Sequence, residues 1–155
     1  MKKKVLTVTI VAAIVAALML VLTGCPTPTT PTDTVGPATP TVETPVASPD
    51  YWVKVKVSAT DRTASGAATA GVKTFEATLT GVATLTDETT LSLSIPVTKT
   101  LGTATTTAAA TLTFEIISED ATPVAEANVT VEAKAIDAAG NVSPVKVGAA
   151  TTLTF

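Results

Sequence analysis

The 155-residue chain has no histidine, one cysteine, one tryptophan, one tyrosine and three phenylalanines. Each shortage excludes something. Without histidine there is no Ser-His-Asp triad, no Cys-His pair and no imidazole to ligate a metal. A lone cysteine cannot close an internal disulfide or form a Cys-x-x-Cys site. Charged residues make up 15% of the chain, short of the usual fraction of about a quarter. Three of the ten basic residues stand at positions 2–4, which leaves seven against thirteen acids beyond them, a net charge of −6. Nucleic-acid phosphates need a basic footprint, so no nucleic-acid partner is expected.

What is present begins with an address. Lys2, Lys3 and Lys4 precede an uncharged apolar run from Val5 to Leu22, interrupted only by Thr7 and Thr9. A basic start, an apolar stretch and small residues before a cut describe a secretory signal peptide. The rival reading is an uncleaved membrane anchor, because 18 residues lie at the short end of what can span a bilayer. Leu22-Thr23-Gly24-Cys25 closes the run, and Cys25 is the only cysteine. This tetrad resembles the lipobox of bacterial lipoproteins. The resemblance implies recognition through Leu22, Thr23 and Gly24, cleavage after residue 24, and lipid on the Cys25 sulfur. It also implies a chain held in the cell envelope by its acyl groups. Pro26 follows the cysteine in place of the aspartate that favours inner-membrane retention in enterobacterial lipoproteins, which points to the outer membrane where the source has one, with the domain in the periplasm or at the cell surface.

Residues 25–49 read as a lipidated cysteine and a linker. Seven of the 24 residues after Cys25 are proline and eight are threonine, with no aromatic, leucine or isoleucine. Such a segment cannot bury enough apolar surface to offset its ordering entropy. It is expected to be a disordered stalk, extended at about 3.1 Å per residue and reaching up to about 70 Å.

Residues 50–155 form one domain and alternate in hydropathy, the period of a strand with one buried face. Val53, Val55 and Val57 alternate with Lys54 and Lys56, and Phe75, Ala77 and Leu79 with Glu76 and Thr78. Leu91-Leu93-Ile95, Leu112-Phe114-Ile116, Val129-Val131-Ala133-Ala135 and Leu153-Phe155 repeat the pattern. Turn signals separate the runs at Ser65-Gly66, Gly71, Thr80-Gly81, Asp87-Glu88, Leu101-Gly102, Glu119-Asp120 and Gly140-Asn141. Alanine-rich residues 104–111 have helical propensity, yet their interleaved threonines and their continuation into Leu112-Thr113-Phe114 favour a strand. The fold class is therefore all-β, a small two-sheet sandwich of six or seven strands.

Two segments carry a family resemblance. Val57-Ser58-Ala59-Thr60-Asp61 with Gly71-Val72-Lys73-Thr74-Phe75, and Val129 to Ser143 with its Asp137-x-x-Gly140-Asn141 ending, resemble bacterial immunoglobulin-like repeats. The resemblance implies an immunoglobulin-like sandwich and no activity. The chain departs from it in lacking an inter-sheet cysteine pair and a tyrosine near Asn128, and residues 81–117 match nothing in it.

Several residues bear chemistry worth weighing. Asp61, Asp137 and Asn141 are oxygen donors of the kind calcium takes, but Asp and Asn at turns more often bond neighbouring backbone, so no metal or cofactor is expected. Glu88, Glu119 and Asp120 sit in polar turns and read as solvated charges, not as a glycosidase pair. The Asn128-Val129-Thr130 sequon has little force in a bacterial lipoprotein. Tyr51 and Trp52 are the candidate ligand contacts, since an exposed ring can stack on a sugar or mark an interface. The functional expectation is a membrane-anchored lipoprotein, not an enzyme, whose domain is structural or adhesive and contacts an envelope protein or glycan. A carbohydrate-binding accessory module is the alternative.

Overall fold

The computed structural model describes residues 32–63, 68–118 and 122–155. Among these residues nine strands, all paired antiparallel, make two sheets. Chain order is β1 (Thr41–Val42), β2 (Val46–Ser48), β3 (Trp52–Thr60), β4 (Val72–Leu85), β5 (Thr90–Thr105), β6 (Thr107–Glu115), β7 (Val124–Asp137), β8 (Lys146–Val147) and β9 (Thr151–Thr154). The first sheet is built on β3, which takes β6 along one edge and β1 and β2 along the other. The second runs β5-β4-β7, with β8 and β9 on the free edge of β7. No helix occurs among the described residues, and none there is long and apolar enough to cross a membrane.

Alternation places the core as the sequence predicts. Val53, Val55 and Val57 of β3 are buried, while Lys54 and Lys56 between them are exposed. One hydrophobic cluster draws on both sheets, with Leu112 and Phe114 from the first and Phe75, Leu79, Val129 and Val131 from the second. Such two-sided burial is what a β-sandwich requires. Each fully buried Val, Leu or Phe contributes about 1.5–3 kcal/mol. Residues 107–115 are strand, as the interleaved threonines indicate.

Two expectations change. Thr80-Gly81 and Leu101-Gly102 are not turns: β4 runs through the first and β5 through the second. Gly81 lies between Leu93 and Val129 on the neighbouring strands, and a Cβ there would collide with the Asn128 carbonyl. The glycine marks a close approach of two backbones, not a reversal.

The larger change concerns the linker. Residues 41–48 are not stalk but the outer strand of the first sheet. Thr41 lies opposite Ser58 and Val46 opposite Lys54, so β1 and β2 are halves of one strand offset by a single residue. The offset falls at Glu43–Pro45, where a bulge at an edge tolerates proline because its outward side needs no N–H donor. Pro37, Pro40 and Pro45 are buried, and Val42 and Ala47 pack on the core. A three-residue connection, Pro49-Asp50-Tyr51, then turns the chain into β3, with Tyr51 at φ 61°. That left-handed residue ends a common hairpin type.

The sandwich has two ends. At one, Asp33, the β3–β4 connection, the β5–β6 corner and the turn after β7 meet, as the Asp61 N–H to Thr106 carbonyl and Ala138 N–H to Gly71 carbonyl bonds show. At the other, the Tyr51 hairpin, the segment after β6, the β4–β5 hairpin and Phe155 meet, through the Ile116 N–H to Tyr51 carbonyl and Thr86 N–H to Pro123 carbonyl bonds.

Candidate functional site

The Asp33 end gathers three carboxylates. Asp61 stands one residue past β3, Asp137 closes β7, and Asp33 comes from the segment ahead of β1. Each offers one oxygen, and these lie within 4.8 Å of one another. All three side chains are buried. The sequence singles out Asp61, Asp137 and Asn141; Asp33 escapes notice because it lies in a stretch whose composition reads as stalk.

Each carboxylate accepts backbone hydrogen bonds. Asp33 takes the N–H groups of Val35 (3.1 Å) and Ala70 (3.0 Å). Asp61 takes those of Arg62 (2.9 Å) and Gly71 (2.7 Å). Asp137 takes the Asn141 N–H and its side-chain amide, both at 2.8 Å, and the same amide also reaches the Asp33 carbonyl at 3.1 Å. Asn141 therefore acts as a donor here, not as an oxygen ligand. Among the described residues no buried side-chain N or O lacks a partner. Bonds to Val35, Arg62 and Asn141 are the local turn chemistry expected of Asp and Asn, while those to Ala70, Gly71 and the Asp33 carbonyl are long-range and stitch the N-terminal segment to two loops. Asp33, Asp61 and Asp137 are the residues that could hold a hard cation, which takes oxygen ligands.

Asp61 feels three influences. Burial pushes its carboxyl above the ordinary aspartate range, the Gly71 and Arg62 N–H groups pull it partly back, and the carboxylates of Asp137 and Asp33 push it up again. A like-charged pocket out of water disfavours full ionisation.

The two candidate ligand contacts part company. The Trp52 side chain is half-buried on the outer face of the first sheet, opposite Ser48 and Glu115 and in line with Lys54 and Lys56. Tyr51 turns the other way, with its ring 6.1 Å from that of Phe155 and packed against the core. No shared aromatic platform forms. Tyr51 instead lines a cleft of about 250 Å³ at its end of the sandwich, with Asp50, Glu115, Ile116, Ile117 and Val124. A second groove, of about 280 Å³, crosses the outer face of the second sheet over the Lys134–Glu76 ion pair (2.8 Å).

Of the other carboxylates, Glu88 occupies the β4–β5 hairpin at φ 70°, beside Asp87. The Thr89 hydroxyl and N–H hold Asp87 below the ordinary aspartate range. Glu119 and Asp120 lie outside the described residues, as do Leu22, Thr23, Gly24 and Cys25. Asn128 is exposed on β7. No family model, no curated protein and no solved structure matches this chain.

Proposed function

We propose that this chain is a bacterial envelope lipoprotein, moored by acyl groups on Cys25, whose immunoglobulin-like sandwich binds a partner and does no chemistry. The observation that carries the reading is Leu22-Thr23-Gly24-Cys25 at the end of an 18-residue apolar run behind three lysines. Two or more acyl chains, at about 0.8 kcal/mol per buried methylene, hold a protein on a bilayer where one chain does so only marginally. The immunoglobulin-like assignment draws support from strand order. With β1 and β2 counted as one strand and β8 and β9 as another, seven strands divide as first, second and fifth against fourth, third, sixth and seventh. Constant-type immunoglobulin domains pair the fourth strand with the first sheet; here it lies beside the third.

The ordered segment alters how the domain is held. From Cys25 to Thr32, where the described body begins, there are seven residues. Their full extension is at most about 25 Å, against the roughly 70 Å of a stalk running to residue 49. The parting of Tyr51 and Trp52 supports partner binding over the alternative of a sugar-binding module, which needs adjacent rings on one flat face.

The test is Cys25→Ala in cells fed an alkyne-bearing fatty acid. Wild type should label and sediment with membranes. The variant should lose label and accumulate as a longer precursor. A variant that is labelled and processed like wild type overturns the reading.

A further inference from the structure

Exposed acids gather at one end of the sandwich. The Asp33 end exposes Arg62, and Lys73 reaches across its rim to the Gly102 carbonyl at 2.9 Å. The Tyr51 end exposes Asp50, Asp87, Glu88, Glu115 and Glu126. Among the described residues no basic side chain sits with them; the nearest along β3 is Lys54, one rung inward. The ion pairs of the described residues join Lys56 to Glu43 and Lys134 to Glu76, so all five acids stand without a salt-bridge partner. Within this acidic rim lies the cleft lined by Tyr51, Ile116, Ile117 and Val124, and Ile117 is 65% exposed. Clustered like charge costs something in the free protein, and a cationic ligand with an apolar side chain would both neutralise that charge and fill the cleft.

We propose that the Tyr51 end is the docking surface for a basic segment of a partner protein, with an apolar side chain of that segment seated in the cleft. Lysine or arginine flanking the anchor would meet Asp50 and Glu115 at the rim, and Asp87, Glu88 and Glu126 would steer its approach. The body's described N-terminal segment is fastened at the opposite end, where Asp33 accepts the Ala70 N–H. The charge and the cleft stand apart from the lipoprotein reading.

The test uses the full chain in non-ionic detergent and a capped hexapeptide with two lysines on each side of Leu-Phe. Isoleucine methyl resonances report the site. Ile116 and Ile117 should shift and Ile136 should not. Asp50→Asn with Glu115→Gln should weaken binding about five- to tenfold, as should a tenfold rise in salt. Ile117→Ser should weaken it about fivefold, and Glu132→Gln on the second sheet should leave it within about twofold. The proposal fails if Ile116 and Ile117 do not respond, if a peptide with glutamates for lysines binds as well, or if the double variant binds like wild type. It fails equally if Ser-Ser in place of Leu-Phe makes no difference, since the surface would then hold cations without an anchor. Membrane labelling of Cys25→Ala reports on the tether separately, so either idea can fall while the other stands.

Discussion

Asp61 shows how one residue carries both a structural role and a pH signature. Its carboxyl accepts two backbone N–H bonds that fix the β3–β4 connection, yet burial and the neighbouring carboxylates of Asp137 and Asp33 favour its protonated form. A folded-state pKa above the unfolded one gives stability that is fully present below the ordinary aspartate range and is lost as pH rises through the raised value. Asp61→Asn keeps the shape and one acceptor while removing the charge. The stability of the variant relative to wild type should therefore climb from about pH 3.5 towards neutrality and then level off. Urea midpoints across that range measure it. A difference that is flat, or that shrinks with rising pH, contradicts the assignment. Individual residues of this kind were partly legible in advance. Asp61 and Asp137 announce themselves at the ends of alternating runs, whereas Asp33 has no run beside it and takes its meaning only from bonds to Ala70 and Asn141, far along the chain.

Among the elements, β3, β4, β6 and β7 could be read from alternation because each buries one face, and a period of two survives wherever that is so. The outer strand formed by β1 and β2 could not. It contributes only Val42 and Ala47 to the core and is broken at Pro45, so composition spoke for a stalk while pairing to β3 decided for a strand. Gly81 and Gly102 misled in the opposite sense. A glycine inside a long strand and one in a turn look alike until the neighbouring strand is seen. The strand reading of residues 41–48 makes a firm prediction. Deleting residues 32–48 should strip one edge of β3, expose Val53 and Val57, and lower the melting temperature by about 10 °C or more, at roughly 2–8 °C per kcal/mol. A dispensable linker would leave the melting curve unchanged. The same deletion removes Asp33, so Asp33→Ala alone serves as its control: it leaves buried N–H donors unpaired at about 1–3 kcal/mol, and the deletion should lower the melting temperature further than that variant does.

At the scale of the whole molecule, the described body gathers its exposed acids at the Tyr51 end. The all-β class was legible in the alternation, but the gathering of acids needed the fold, because Asp50, Asp87, Glu115 and Glu126 are scattered in sequence and meet only where hairpins share an end. Pro37, Pro40 and Pro45 belong to the body, which the lipoprotein proposal would moor through Cys25. This picture stands or falls on how the mature chain begins. Mass spectrometry of the N-terminal peptide from purified membranes reads that directly. The account predicts a peptide starting at Cys25 with diacylglycerol on its sulfur; a mature chain that starts anywhere else, or that carries an unmodified Cys25, contradicts it.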